Sequence, residues 1–339
     1  MPTHILILRF SALGDVAMTV PVINLLLKQY PKLKATVVSA PFHQPLFDGI
    51  ERLSFYGADI RNDYKGLRGL YRLAKQLKKD VDFDAVADLH DVIRTTIIRR
   101  FLKNVPLAVI GKGRREKKQL TRKKNKKLRP LKTTFERYAS VFEELGLPVK
   151  LLKKDGIINL PPDETLLPAP HNGCQFIGIA PFAKHSSKMY PLEKMQTVVE
   201  ALKKRPETRL FLFGSKAEAK ILQNWAGENV HLVAGNLNFS QELNLISQMD
   251  VMLTMDSANM HLASLYGVPV VSVWGGTHPF LGFYGWAQNI QNAVQLDLPC
   301  RPSSVYGKKE CPVHGKEGCM QDITPEMIVG SIEQVLAKQ

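Results

Sequence analysis

Three short stretches carry residues whose types and spacing can do chemistry. FSALGD, residues 10–15, places a carboxylate, Asp15, in a turn that follows an apolar run and opens a helix. An acid there either complements the helix dipole or, facing a ligand, acts as a general base. The turn holds Gly14 alone and lacks G-x-G-x-x-G, which disfavours a dinucleotide and so a dehydrogenase. KHSSKMYP, 184–191, sets Lys184 and Lys188 directly after another apolar run. They read either as ordinary exposed lysines or as cations that neutralise a diphosphate leaving group. TMDSANMHLASLYGVPVVSVWGGTHP, 254–279, ends a strand at Asp256 and starts a helix near Ser257. The backbone N–H groups of 257–260 then point at a bound anion. The plainer reading of Asp256 and His261 is a helix cap and a packed imidazole.

These stretches need elements to hold them. Apolar runs at 4–10, 34–40, 83–90 and 107–111 read as strands, and 16–29, 67–78, 92–102 and 135–145 as helices. A polar, Pro-rich segment, 161–173, reads as a linker. The alternation then restarts, with strands at 176–181, 209–214, 230–235, 251–256 and 268–275. Helices at 192–204, 218–225, 241–249, 259–266 and 324–338 go with them. Alternating strands and helices imply parallel sheets with right-handed crossovers. Two such units leave a cleft between them, and ligands in open α/β sheets sit beyond the C-terminal strand ends. All three stretches fall just after strands.

The chain has 339 residues, 45% of them hydrophobic, which suits two domains. Its apolar runs are too short for a bilayer span, and its first residues lack the basic region of a signal peptide, so a cytoplasmic protein is expected. The formal net charge is +15, which favours a polyanionic partner. The charge concentrates in 112–132, KGRREKKQLTRKKNKKLRPLK, almost without aromatics. That run reads equally as a solvated loop or as an anion-binding element, and it offers no base-stacking platform. Cys300, Cys311 and Cys319 fall near His314. A zinc site is one reading, but their spacings match no compact paired-Cys pattern, and free or structural thiols of a Gly/Pro-rich loop are the plainer reading.

The chain resembles the heptosyltransferases of bacterial lipopolysaccharide core synthesis (glycosyltransferase family nine), which have the GT-B fold. The family's R-x-S-x-x-G-D is met by Arg9, Ser11, Gly14 and Asp15. Its D-L-x-x-x-x-R is met by Asp88, Leu89 and Arg94, and its R-Y…L-G-L-P by Arg137, Tyr138 and residues 145–148. K-x-W/Y-P appears as Lys188, Tyr190 and Pro191. D-S/T-G-x-x-H-L-A appears as Asp256, Ser257, Met260, His261, Leu262 and Ala263, with Ala258 where the family has Gly. The family's G-P-T-D-P reads Gly275, Gly276, Thr277, His278 and Pro279.

The resemblance implies an α/β GT-B chain, with two Rossmann-like parallel-sheet domains facing a central cleft. An acceptor-binding domain would span 1–160, the linker 161–173, and a nucleotide-sugar-binding domain 174–322, with a C-terminal helix at 323–339. It implies an inverting, metal-independent transfer with Asp15 and Lys188 catalytic. Donor binding falls to Lys184, Glu218 (ribose), Leu237 (base), Asp256, Ser257, Ala258, Asn259 and His261. Acceptor binding falls to Arg9, Ser11 and Arg94, joined by Lys123, Lys124, Lys126 and Lys127 of the basic run. No cofactor and no metal are implied. The expected substrates are a nucleotide-sugar donor, ADP-heptose, and an anionic glycolipid acceptor of the lipopolysaccharide core or lipid A type. The protein is expected as a monomer, peripheral at the inner face of the cytoplasmic membrane, with no nucleic acid. The competing readings are a nucleotide-sugar epimerase of the same fold and a basic nucleic-acid-binding protein.

Overall fold

Strands buried on both faces read as unbroken apolar runs, and HILIL is one. The structure, a computed structural model, describes residues 1–102, 104–168, 173–315 and 318–338. The chain divides into two compact units. The first is Met1–Lys112 with Thr134–Gly156; the second is Gly113–Thr133 with Ile157–Gln339.

The first unit runs β1 (His4–Leu8), α1 (Leu13–Ala17), α2 (Val20–Gln29), β2 (Lys34–Ser39), β3 (Leu53–Gly57), α3 (Gly66–Asp80), β4 (Ala85–Asp88), α4 (Ile93–Phe101) and β5 (Leu107–Val109). After the excursion that carries α5 (Arg114–Leu120), it closes with α6 (Thr134–Glu144). Its five strands are parallel in the order β3-β2-β1-β4-β5. Leu8 lies opposite Val38 on one side and Asp88 on the other. The single helix expected over 16–29 is two. Pro21 has no N–H to give the carbonyl four residues back, and its ring crowds that carbonyl. Helix α3 buries Leu70, Leu73, Ala74 and Leu77 against Leu6, Leu8, Val86 and Ile98.

The second unit runs β6 (Gln175–Ala180), α7 (Leu192–Lys203), β7 (Thr208–Leu212), α8 (Ala219–Leu222), β8 (Val230–Leu232), α9 (Phe239–Ser247), β9 (Val251–Met255), α10 (Ala258–Leu265), β10 (Val270–Val273), β11 (Ala293–Val294) and α11 (Pro325–Leu336). Its six strands are parallel in the order β11-β10-β9-β6-β7-β8. Met195, Val198, Val199 and Leu202 of α7 share a core with Ile328, Ile332, Val335 and Leu336 of α11. The last helix is therefore a layer of this unit rather than a separate segment.

Two expected boundaries move. The chain passes between units at 156/157, not at 161–173. Ile158 N–H already donates to Leu265 O (2.8 Å). The Pro-rich segment is tied to α9, where Asn244 takes Asp163 N–H on Oδ1 (2.8 Å) and gives Nδ2–H to Pro161 O (2.8 Å). Residues 169–172 of the expected linker lie outside the described residues. The basic run also changes sides. Residues 113–133 group with the second unit, because Leu120 and Leu131 pack with Leu281 among Phe280, Phe283 and Val305. Burying a leucine contributes about 1.5–3 kcal/mol, enough to dock a charged loop through two apolar teeth.

In each sheet the strand order reverses once, between β1 and β4 and between β6 and β9. The crevice at such a switch point is where open α/β sheets bind ligands. FSALGD follows β1, the Leu89 turn follows β4, KHSSKMYP follows β6 and Asp256 follows β9.

Candidate active site

In the first unit the site is built on Arg9, one residue beyond β1. It is 6% exposed. Its Nη1 donates to Leu89 O (2.6 Å) and its Nη2 lies 2.9 Å from Asp15 Oδ2. The guanidinium stands over the Tyr138 ring, and the Tyr138 hydroxyl donates to Asp15 O (3.1 Å). Asp15 is thus held through backbone and side chain together. Oδ2 also takes the Ala12 N–H (3.4 Å), and among the described residues none holds Oδ1. The side chain is 37% exposed. A fixed carboxylate with one oxygen facing out can accept a proton from a bound hydroxyl.

His90 completes this corner. Phe10 N–H donates to its Nδ1 (3.4 Å), so the ring proton sits on Nε2, 3.5 Å from Ser11 Oγ. Burial, then the Arg9 and Lys112 cations, push this imidazole down to about 3. It is neutral at any working pH and orients Ser11 without adding charge. Behind it, buried Asp88 takes His90 and Asp91 N–H groups on Oδ1 (2.9 Å each) and Arg99 Nη1 on Oδ2 (2.6 Å).

In the second unit Asp256, 5% exposed, accepts Lys188 Nζ and Thr277 Oγ1 on the same oxygen, Oδ2, at 2.7 Å each. Lys188 is therefore a fixed cation. No side chain caps α10: Ser257 Oγ turns to Thr254 Oγ1 (3.0 Å). The first-turn N–H groups and the helix dipole form an anion-binding end. The floor comes from the GGT segment. Gly276 N–H donates to Ser187 O (2.9 Å), and Arg301 donates to Gly275 O (2.6 Å) and Thr277 O (3.0 Å).

Residues 70–314 match the profile of glycosyltransferase family 9 (heptosyltransferase). The chain belongs to this family. It is 23% identical to the lipopolysaccharide core heptosyltransferase OpsX of Haemophilus influenzae, over 98% of this chain and 97% of that one. It is 27% identical to lipooligosaccharide heptosyltransferase 2 of Campylobacter jejuni, where the match spans 57% of this chain and 58% of that one. Among solved structures it is similar to the family 9 glycosyl transferase of Veillonella parvula, with a TM-score of 0.78, 17% identity and 99% and 98% coverage. It is also similar to Escherichia coli heptosyltransferase WaaC with ADP-2-deoxy-2-fluoro heptose, with a TM-score of 0.67, 16% identity and 98% and 99% coverage. The two doubly wound parallel-sheet units are those of the GT-B fold.

Within this family 9 chain, the residues expected from sequence fall unevenly. Arg9, Ser11 and Asp15 come together, as do Lys188 and Asp256 with the end of α10. Ser257 differs in detail: its N–H is already given to Met255 O (2.7 Å), which leaves Ala258 and Asn259 to donate. His261 is buried on α10 and Lys184 is exposed. Glu218 takes Ser215 N–H (2.6 Å) and Oγ–H (2.8 Å) on Oε2, so it closes the turn after β7. Leu237 is half-buried in the loop before α9. Arg94 is exposed on α4, and Arg99 rather than Arg94 reaches Asp88. Lys126 is a correction. Its Nζ donates to Pro302 O (3.0 Å), so it anchors a loop, while Lys123, Lys124 and Lys127 stay exposed.

The sequence reading missed His90, Thr277, Arg99 and Arg301. His90 stands right after the Asp88-Leu89 motif pair, and Thr277 is named in the G-P-T-D-P motif without a role; their position beyond strand ends was the available signal. Arg301 had none, since its partners are backbone carbonyls and the side-chain amide of Gln295. His278, where the family motif has Asp, accepts Phe280 N–H on Nδ1 (3.1 Å) and caps the next turn. Burial and then Arg301 lower it to about 4, so it is a neutral imidazole that caps this turn.

Proposed function

We propose that this chain is an inverting, metal-independent heptosyltransferase that moves a heptose from ADP-heptose to an anionic glycolipid of the lipopolysaccharide core or lipid A type. The observation that carries the reading is the Lys188–Asp256–Thr277 cluster beside the uncapped end of α10. A fixed cation and open N–H groups at a switch point suit a nucleoside diphosphate. The sugar and nucleobase rest on the names of the similar proteins, OpsX as a lipopolysaccharide core heptosyltransferase and WaaC with an ADP-heptose analogue.

In this reading Asp15 Oδ1 takes the proton of the acceptor hydroxyl as its oxygen bonds to the anomeric carbon. The bond from that carbon to the diphosphate breaks on the opposite face, and ADP leaves carrying the electron pair. Lys188 and the N–H groups of Ala258 and Asn259 receive the growing charge. Arg9 keeps Asp15 aimed through their 2.9 Å ion pair, and Ser11 and Arg94 meet the acceptor. Glu218 holds the ribose with its remaining oxygen, Leu237 flanks the base, and Lys184 and His261 complete the donor pocket. No cofactor takes part. The enzyme works as a monomer, peripheral at the cytoplasmic membrane's inner face.

The test is ADP release from ADP-heptose with and without a core acceptor. Release that needs acceptor is expected, with inversion at the new linkage and no requirement for added Mg²⁺ or Mn²⁺. Asp15→Asn, nearly isosteric, should retain ADP binding and lose about 10²–10⁴-fold in turnover. Wild-type turnover in that variant would remove the general base. Epimerised donor without acceptor would point to an epimerase instead.

A further inference from the structure

The loop of residues 300–315 has a feature that sugar transfer does not use. Cys300 Sγ lies 3.9 Å and Cys311 Sγ 3.4 Å from His314 Nδ1, and the three donor atoms all lie within 4.8 Å of one another. We propose that Cys300, Cys311 and His314 bind one divalent ion of the zinc class, which pins this loop against Lys188.

The local backbone builds the group. Cys311 and Gly315 exchange both main-chain hydrogen bonds (3.0 Å each), and Gly315 takes φ +72°, so the reversal sets Cys311 and His314 side by side. Cys300 arrives from the other end, fixed because Arg301 N–H donates to Leu298 O (2.9 Å) and its guanidinium is buried against Gly275 and Thr277. A tetrahedral ion with metal–sulfur bonds of ~2.3 Å and metal–nitrogen bonds of ~2.0 Å spaces its ligand atoms ~3.3–3.8 Å apart. The observed separations are within a small contraction of that. Two thiolates and an imidazole select zinc, iron(II) or cobalt(II) over magnesium and calcium. Cys319 lies outside this group of three and is the remaining nearby thiol for the fourth position. It is buried, and it follows Gly318, whose Cβ position would lie 3.6 Å from Cys311 Cβ.

The same loop lies on the donor-side cation. Ser187 Oγ donates to Gly307 O (2.8 Å), and Ser303 and Ser304 N–H groups donate to Gly276 O (2.9 and 3.0 Å). A Cβ at Gly307 would meet Lys188 Cγ at 2.6 Å. Cross-linking 300 to 311 and 314 through an ion restricts the loop in the unfolded chain and fixes it in the folded one. The ion's part is structural, and the proposal does not depend on which sugar is transferred.

The experiment uses the full chain purified under reducing conditions without chelator. Elemental analysis should find one zinc or iron per chain. Cobalt(II) should replace it with thiolate-to-metal charge-transfer bands and the intense visible bands of a tetrahedral site. Cys300→Ser, Cys311→Ser and His314→Gln should each bring the metal content to background with unchanged far-UV circular dichroism. Cys319→Ser should weaken the charge-transfer bands, and an unchanged cobalt spectrum would overturn the fourth assignment. Stripping the ion should open the loop to limited proteolysis between 300 and 315. Protein grown with added zinc that carries none, or that holds a Cys300–Cys311 disulfide under reducing conditions, overturns the site.

Discussion

At the scale of single residues, Lys188 and Lys184 separate geometry from mere charge. Both are lysines of one loop. Only Lys188 reaches Asp256, at 2.7 Å, and it is 15% exposed while Lys184 stands in solvent. Lys188→Ala should weaken ADP binding measured by calorimetry by about 10–100-fold, the range of one charge-assisted contact of ~1.5–3 kcal/mol. Lys184→Ala should change it less than about fivefold, since an exposed ion pair is worth ~0–1 kcal/mol. Lys188→Ala also strands Asp256 as a buried charge, which costs about 3–5 kcal/mol where a buried pair is broken. Thermal unfolding with and without ADP separates that loss of stability from the loss of affinity. Equal effects of the two substitutions on ADP binding would end the distinction.

At the scale of elements, the loop that covers Lys188 should matter as much as the lysine. Gly307 has φ +73°, and a methyl group there would press on the Lys188 stem. Gly307→Ala removes no charge, yet it should weaken ADP binding roughly tenfold, equivalent to ~1.4 kcal/mol. Unaltered affinity would mean that Lys188 tolerates displacement. None of this was legible in the chain, because Ser187 and Lys188, which Gly307 meets, lie more than a hundred residues away. What was legible follows from burial. Strands such as ILIL and VMLTM are buried throughout and read as apolar runs. The edge strands LSFYG, half-exposed, and the two-residue AV lacked that signature and were missed. Asp15, Lys188 and Asp256 stood out because strand ends at a switch point are where ligand chemistry concentrates. The docking of the basic run did not, because Leu120 and Leu131 are isolated apolar residues whose partner, Leu281, is distant in sequence.

At the scale of the whole molecule, two collective charge effects are expected. Burial lowers His90 to about 3 and His43 and His278 to about 4, and lowers His4, His185 and His231 as well. The unfolded chain therefore binds more protons than the folded one below pH ~6.5, at ~1.4 kcal/mol per proton and pH unit. Stability should fall as pH drops from 6.5 towards 4. Glu242, raised by burial to about 7, opposes this between its ordinary value and 7, but one carboxyl is outnumbered. Denaturant midpoints should decline over that window, and His90→Gln should flatten the decline; a flat profile would contradict the buried neutral imidazoles. The second effect belongs to the surface. Of the four run lysines expected to meet the acceptor, Lys126 is spent on Pro302, leaving Lys123, Lys124 and Lys127 exposed beside Arg122. The run is docked through Leu120 and Leu131, so these charges are presented by an ordered segment of a chain with net charge +15. Each such cation near an anionic leaflet is worth about 1 kcal/mol and is screened within a Debye length. Replacing Lys123, Lys124 and Lys127 by Gln should cut binding to anionic liposomes by roughly 100-fold in dilute salt. It should raise the apparent KM for a membrane-embedded acceptor, and leave the KM for donor and the turnover of a short soluble acceptor unchanged. Added salt should give wild-type protein the same phenotype. Lys126→Gln, by contrast, should loosen the 300–315 loop and affect liposome binding little. If the triple variant sediments with anionic liposomes as wild type does, the run serves to brace the second unit and not to meet a membrane.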